Sequence, residues 1–454
     1  VIKHPPHPVP DVTSVITDLS AANPEQIPLY LSHFRSVDEQ GRYLHFDELR
    51  FRVAKELNPE WVWAFVKSCR LAQQQPLLAL GEPAQNCSFM LTPIIQKAVS
   101  FTDRYSTKTV LENISRQIGE AQQFEYLLND LIQDEAISSS QLEGAATTTL
   151  VAKEMLQTKR KARTADEKMI IGNFQMMQWA WEQRHKSLNL EFITELHRIG
   201  VEGIADEKYT PGVFRQTDDV VVMGRDGEVL HQPPAALGIV DRLQLLCDWL
   251  NTCHDSAESP NYIHPLVKAI VLHFAIGYEH PFRDGNGRVA RALFYWFMFK
   301  NDYAAFRYIA ISLLLKKAPV KYGKSYLHSE TDQLDLTYFI DYQCSIVLRA
   351  IEDYRAICEQ NIKENEAFLH WLWSSGIYQK LNEKQKIVFQ VARSGSAKLF
   401  TANNVKENLG CSYNTAATVL NELVELELFS KVKEGREWVY RMLDKQQIQH
   451  RWGM

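Results

Sequence analysis

The stretch His280-Pro281-Phe282-Arg283-Asp284-Gly285-Asn286-Gly287-Arg288-Val289-Ala290-Arg291 gathers an imidazole, a carboxylate, an amide, two loop glycines and two guanidinium groups of potential use. Apolar residues repeat at helical spacing before it (Leu266, Ile270, Val271, Phe274, Ala275) and after it (Val289, Leu293, Phe294, Phe297, Met298). The loop therefore delivers its residues to a helix N-terminus, where unpaired N–H groups and a partial positive charge favour an anion. Gly285 and Gly287 let the backbone approach a ligand closely, and successive amides can form a nest. Asn286 adds a side-chain amide. Arg288 and Arg291 lie three apart, so both guanidinium groups can face one way and suit a polyphosphate. Asp284 is a hard oxygen ligand, and one carboxylate with phosphate oxygens is how Mg²⁺ is usually held. His280 has a near-neutral intrinsic pKa. As a base towards an attacking hydroxyl it would contribute on the order of 10²–10⁴ in rate. A lost oxyanion donor costs a comparable ~10²–10³, so base and nest should matter about equally. Phe282, apolar in a polar loop, reads as a core anchor.

A second string, Ser138-Ser139-Ser140-Gln141-Leu142-Glu143-Gly144, closes a helical pattern that runs from Val110 through Ile114, Ile118, Phe124, Leu127, Leu128 and Leu131. Gly144 fits the residue just past a helix end. A Glu in the last turn meets an end that is already partly negative, so Glu143 is better tolerated beside a cation. Ser139 and Glu143 lie four apart on one face. His273 reads as a core histidine, Tyr322 and Tyr326 as packing residues, and Arg283 as either solvated or substrate-facing.

The elements that must position these residues are mainly helical. Residues 1 to about 105 form an N-terminal region with a proline-rich, loosely ordered opening, two short helices (Phe46 to Leu57, Trp61 to Leu71) and a loop marked by Pro76, Gly81 and Pro83. From about 106 to 360 the pattern is helical, including Phe192 to His197, Leu237 to Leu250 and Pro265 to Glu279. It is interrupted at Pro211-Gly212-Val213-Phe214-Arg215. Val220 to Met223, a turn over Gly224-Arg225-Asp226-Gly227, and Glu228 to His231 read as a hairpin closed by Pro233-Pro234.

From about 375 to 454 a helix over Glu383 to Arg393 is followed by one capped by Thr401 and closed by Gly410. A third is capped by Ser412, and a hairpin spans Lys431 to Tyr440. This is a winged helix-turn-helix pattern. Its presumed recognition helix, Ser412 to Leu428, carries Glu422, Glu425 and Glu427 and no Lys or Arg, which argues against reading DNA. The wing does supply Lys431, Lys433 and Arg436, so DNA stays open beside a protein-contact role.

The 454 residues suggest two or three domains. With 45% hydrophobic and 23% charged residues and a net charge of −5, the chain reads as a soluble globule without the basic surface of a nucleic-acid coat. Seven scattered cysteines without a C-x-x-C pair favour a reducing, cytoplasmic setting over a disulfide framework. Neither a signal peptide nor a membrane-spanning stretch is expected.

The His280 to Arg291 string resembles the signature of the Fic family of adenylyltransferases, His-x-Phe-x-Asp/Glu-Gly-Asn-Gly-Arg-x-x-Arg, at every fixed position. The resemblance implies a helical Fic core with the hairpin as a flap that aligns a target segment by strand pairing. It implies His280 as general base and Asp284 as Mg²⁺ ligand. Gly285, Asn286, Gly287 and Arg288 would hold phosphates, and Arg291 the γ-phosphate. Some relatives that act as kinases carry Lys where Gly287 stands, so Gly287 argues for AMP transfer.

Ser139 and Glu143, on a helix near 125–144, resemble the family's inhibitory motif, in which Glu143 would pair with Arg291 and block the γ-phosphate. An exposed ion pair is worth only ~0.2–1 kcal/mol. A switch from 1:99 to 99:1 takes ~5.5 kcal/mol. A strong brake therefore needs a partly buried Glu143 or steric displacement of phosphate. The expected activity is transfer of AMP from ATP, with Mg²⁺, to a Ser, Thr or Tyr hydroxyl of a target protein by a chain that can self-associate. The alternatives are a DNA-binding regulator with a nucleotide-sensing site, and removal of AMP from modified proteins.

Overall fold

Two helices buried on nearly every side form the centre of the protein. The structure, a computed structural model, describes residues 2–118, 121–206, 208–224, 227–394, 397, 399–434, 437–443 and 445–452. In chain order the longer elements begin with α1 (Val12–Ala22), α2 (Pro59–Leu71), β1 (Gln75–Leu80), β2 (Gln85–Phe89) and α3 (Pro93–Tyr105). Then come α4 (Lys108–Ile118), α5 (Ala121–Leu142), α6 (Thr149–Thr158), α7 (Ala165–Glu182), α8 (Leu190–Val201), β3 (Val222–Met223) and β4 (Val229–His231). The central pair is α10 (Pro265–Glu279) and α11 (Asn286–Lys300), preceded by α9 (Ile239–Asn251). After it follow α12 (Ile311–Lys317), α13 (Pro319–Thr331) and the long α14 (Thr337–Ser374). The chain continues with α15 (Glu383–Ser394), α16 (Ala402–Leu409), α17 (Tyr413–Glu425), β5 (Phe429–Glu434) and β6 (Glu437–Met442). The fold is thus mainly α, with three small antiparallel hairpins among the described residues. No described helix is long and apolar enough to cross a membrane.

The sequence pattern gives α10 and α11 one apolar stripe each. In the structure every residue from Pro265 to Ile276 and from Val289 to Phe299 is buried. A helix apolar all round belongs inside a protein, and α7, α8 and α14 wrap the pair. Pro265 at the first turn and the His264 ring, which accepts the Leu266 N–H at 3.0 Å, start α10.

The N-terminal region divides. Val15, Leu19, Tyr30, Phe46, Trp63 and Phe65 form a cluster of their own. Leu80, Phe89, Ile95 and Ala98 join the main core. Two local expectations change here. The stretch over Pro76 to Pro83, read as a loop, contributes the β1–β2 hairpin. The helix at Phe46 stops at Leu49. The helical run read from Val110 onward is described as α4 and α5, on either side of residues 119 and 120, which lie outside the described residues. So do Arg225, Asp226 and Arg436.

The C-terminal elements follow the expected order. Thr401 and Ser412 cap α16 and α17 by accepting the N–H groups of Asn404 and Thr415, and Gly410 ends α16 in the left-handed region. Strands β5 and β6 pair in register from Phe429–Met442 to Glu434–Glu437. α5 packs against both α15 and α16, so this unit rests on the helix that carries Ser139.

Candidate active site

α10 ends where His280 enters the left-handed region at φ 48° and donates its N–H to Ile276 O at 3.0 Å. A non-glycine residue is uncommon there and costs energy. Its surroundings hold it. Arg215, buried, donates from Nε to His280 O at 2.9 Å and from Nη2 to Pro234 O and Glu279 O. The Arg215 N–H reaches Pro281 O at 2.8 Å. Glu279, also buried, accepts the Gly81 N–H at 2.8 Å on one oxygen and Arg242 Nε at 2.8 Å on the other. The β1–β2 turn thus reaches the residue beside His280.

The His280 ring places Nδ1 3.2 Å from Gly277 O. A carbonyl only accepts, so Nδ1 carries the hydrogen and Nε2 keeps a free lone pair. Burial pushes the imidazole pKa down to about 4. The Gly277 carbonyl opposes this, and the positive neighbours His231 and Arg215 add to it. The ring is therefore neutral at pH 7.

The loop itself is stapled from within. Phe282 is buried and stacks on His197 at 3.7 Å between centroids. His197 Nε2 lies 3.0 Å from Asp284 O, and its Nδ1 accepts the Gly212 N–H at 3.1 Å, so Nε2 is the donor. Asn286 departs from expectation. Its carbonyl oxygen accepts the Phe282 N–H and its amide donates to Phe282 O, both at 2.8 Å. The side chain thus closes the loop, with one Nδ2 hydrogen and Oδ1 both engaged by Phe282. Gly285, at φ 87°, caps α11. Its first helical bond is Val289 N–H to Gly285 O, which leaves the amides of Asn286, Gly287 and Arg288 without a helical partner.

Both arginines are buried. Arg288 Nη1 donates to Gly200 O at 2.8 Å, while Nε and Nη2 have no hydrogen-bond partner in the protein. Arg291 donates from Nε to Ser139 Oγ at 2.9 Å, and from Nη2 to Ser139 O at 3.1 Å and Glu143 Oε1 at 2.7 Å. Its Nη1 has no partner. These free nitrogens sit at the two glycines. A Cβ at Gly285 would lie 3.3 Å from Arg288 Nη2, and one at Gly287 would lie 3.1 Å from Arg291 Nη1. The same Gly287 Cβ would collide with the Glu143 carboxylate. That carboxylate therefore lies directly over the start of α11. Its side chain is 28% exposed, against 1% for Arg291. Gly144, at φ 99°, turns the chain away just after it.

Asp284 accepts the Gly285 N–H on Oδ1 at 2.6 Å, and Lys208 Nζ lies 2.9 Å from Oδ2. Although burial opposes it, Lys208 and the Gly285 amide hold the carboxyl below its usual range. A single carboxylate at the edge of the anion cradle is the donor arrangement that suits Mg²⁺ with phosphate oxygens. Among the described residues no cluster of His, Cys, Asp and Glu could hold a metal alone.

The hairpin β3–β4 pairs Val222 with His231 and Met223 with Val229. His231 ties it down, with Nε2 2.8 Å from Tyr278 O and Nδ1 2.8 Å from Glu330. Met223 and Val229 stay exposed. His273 is buried and meets Tyr322 Oη at 2.8 Å. Arg283 pairs with Asp219 at 3.0 Å.

His197, Lys208, Arg215 and Glu279 were not singled out from the sequence. Their partners in the loop, the flap base and the N-terminal hairpin lie far away along the chain, and a single sequence carries no signal of such contacts.

Residues 187–298 match the model of the Fic/DOC family. A protein adenylyltransferase Fic of Nematostella vectensis is 34% identical over 111 residues, covering 24% of this chain and 23% of that protein. Protein adenylyltransferase fic-1 of Caenorhabditis elegans is 32% identical over 121 residues, covering 27% and 21%. The chain thus spans under a quarter of the length of these relatives, and Glu143 lies outside the family match. A solved Fic family protein from Desulfovibrio desulfuricans G20 is 18% identical, covers 78% of this chain and 98% of its own, and superposes at a TM-score of 0.47. Residues 187–298, the stretch that contains the His280 loop and most of the two helices holding it, are thus the part of the chain that is similar to the Fic/DOC family.

Proposed function

We propose that this protein transfers AMP from ATP to a hydroxyl side chain of a target protein, and that Glu143 restrains the transfer. The observation that carries the proposal is the Glu143 carboxylate lying over Gly287 while bonded to Arg291 at 2.7 Å. A carboxylate resting on open amides at a helix N-terminus, beside buried guanidinium nitrogens without partners, supports an anion site. The similarity to proteins named adenylyltransferases supports ATP as the donor.

In this reading the amides of Asn286, Gly287 and Arg288, with Arg288 Nε and Nη2 and Arg291 Nη1, bind the triphosphate. The target hydroxyl approaches beside His280, its segment paired along the flap edge. Nε2 of His280 accepts the hydroxyl proton as the oxygen forms its bond to the α-phosphorus. The bond from that phosphorus to the bridging oxygen breaks, and pyrophosphate leaves. The Gly277 carbonyl holds the Nδ1 hydrogen and so keeps the accepting nitrogen correct. Asp284 would hold Mg²⁺, which supplies charge neutralisation for the phosphates. Glu143 acts by occupying phosphate space as well as by ion pairing with a buried arginine, which answers the magnitude problem of an exposed pair.

The test is incubation of the Glu143→Gly variant with Mg²⁺, cell lysate and ATP labelled at either the α- or the γ-phosphate. Covalent label on protein from the α-position only, at a rate well above wild type, is expected. Label from the γ-position, or none from either, would overturn the proposal.

A further inference from the structure

The segment between α8 and the flap lays a lysine on the proposed metal ligand. Lys208 Nζ is 2.9 Å from Asp284 Oδ2. Tyr209 is buried, its ring 5.0 Å from Lys208 Nζ and 5.7 Å from the Arg288 guanidinium carbon. The ammonium and the arginine whose Nε and Nη2 lack partners thus lie about one tyrosine ring.

The two ends of the ion pair are held differently. Asp284 is fixed by the Gly285 amide and by the His197 bond to its carbonyl. Lys208 has a side chain 51% exposed on a flexible stem. An exposed pair of this kind is weak, so the ammonium can leave at little cost. A divalent cation bonded directly to the same carboxylate would stand within a few ångströms of the ammonium, and like charges repel strongly at that range. Both cannot hold Asp284. With a polyphosphate on the amides and on Arg288, the displaced ammonium has a multiply charged anion within reach of its four-carbon stem.

We propose that Lys208 is a nucleotide-site residue that exchanges partners. It holds Asp284 before nucleotide arrives, and it moves to the polyphosphate when a divalent cation takes the carboxylate. The inference rests on the nucleotide-binding reading above and adds a residue and a metal dependence to it. Two opposite effects follow. Without Lys208 the cation meets no competitor, so it binds Asp284 more readily. Without Lys208 the loaded polyphosphate also loses one positive partner.

Calorimetric titration of ATP at a series of Mg²⁺ concentrations tests this, in the Glu143→Gly background with and without Lys208→Met. The Mg²⁺ concentration that gives half-maximal ATP affinity is expected to fall on the order of fivefold in Lys208→Met. The ATP Kd at saturating Mg²⁺ is expected to rise by a similar factor, the size that a half-exposed charge pair commands. Lys208→Arg, which keeps the charge, should stay close to the parent in both. Superposed Mg²⁺ curves for Lys208→Met and its parent, with ATP binding intact, would overturn the role of Lys208 alone. Absence of ATP binding in the Glu143→Gly parent would overturn the nucleotide reading itself.

Discussion

A histidine can be kept neutral by burial, and several in this protein are. Burial is the leading cause in each case. It pushes His280, His197 and His328 down to about 4 and His45 to about 2, and takes His273 well below its usual value. In the unfolded chain these rings take up protons near pH 6.5, whereas in the folded protein they do so only near 4 or below, so the unfolded state binds more protons between those values. Their contribution to stability is present above pH 6.5 and is lost as the pH falls towards 4. Each shift from 6.5 to about 4 corresponds to about 3 kcal/mol when fully expressed. Thermal unfolding should therefore show Tm falling steadily from pH 7 to about pH 4.5, and a flat profile would contradict the assignment. The same shift leaves His280 ready to accept a proton over this range. The His280-dependent rate should stay level from about pH 8 down to about pH 5 rather than halve near 6.5; a pH–rate profile checks it.

At the scale of elements, the site is a loop gripped from both ends. Arg215 joins it to the base of the flap through carbonyls of Pro234, Glu279 and His280. Arg215→Lys keeps the charge but loses the planar fork. It should lower the rate of AMP transfer far more than ATP affinity, and cost about 3 kcal/mol of stability as carbonyls lose charged donors. Denaturant melts and ATP titration separate the two effects; a wild-type rate would contradict them.

What was legible in the sequence divides along the same line. Caps and turns were, because Thr401, Gly410 and Ser412 act on neighbours a few residues away. The His280 string was, because its residue types sit side by side. The β1–β2 hairpin was not, because Pro76, Gly81 and Pro83 look like loop residues until a partner strand is in place. The Asn286 bonds to Phe282 were not, because residue type alone cannot tell a phosphate ligand from a loop staple.

At the scale of the whole molecule, buried charges tie the N-terminal region to the helices behind the site. Lys67 pairs with Asp332 at 2.8 Å, each side chain only 3% exposed, and Asp332 also accepts the Tyr338 hydroxyl. Arg70 donates to that hydroxyl, and Tyr43 donates to Asp335. Asp332→Ala would leave Lys67 buried without its main partner, at a cost of about 3–5 kcal/mol. Urea unfolding at neutral pH should show that loss, and an unchanged midpoint would mean that the two regions are not coupled in this way. Glu279 extends the coupling to the residue beside His280, and α5 joins Glu143 to the C-terminal helices. The chain thus surrounds one loop. The most direct measurement is the rate of AMP attachment to protein, by mass spectrometry, for Glu143→Gly against the double variant Glu143→Gly, His280→Ala. A drop on the order of 10²–10⁴ in the double variant, with ATP still bound, is the predicted result. Equal rates in the two would contradict a role for His280 as the base.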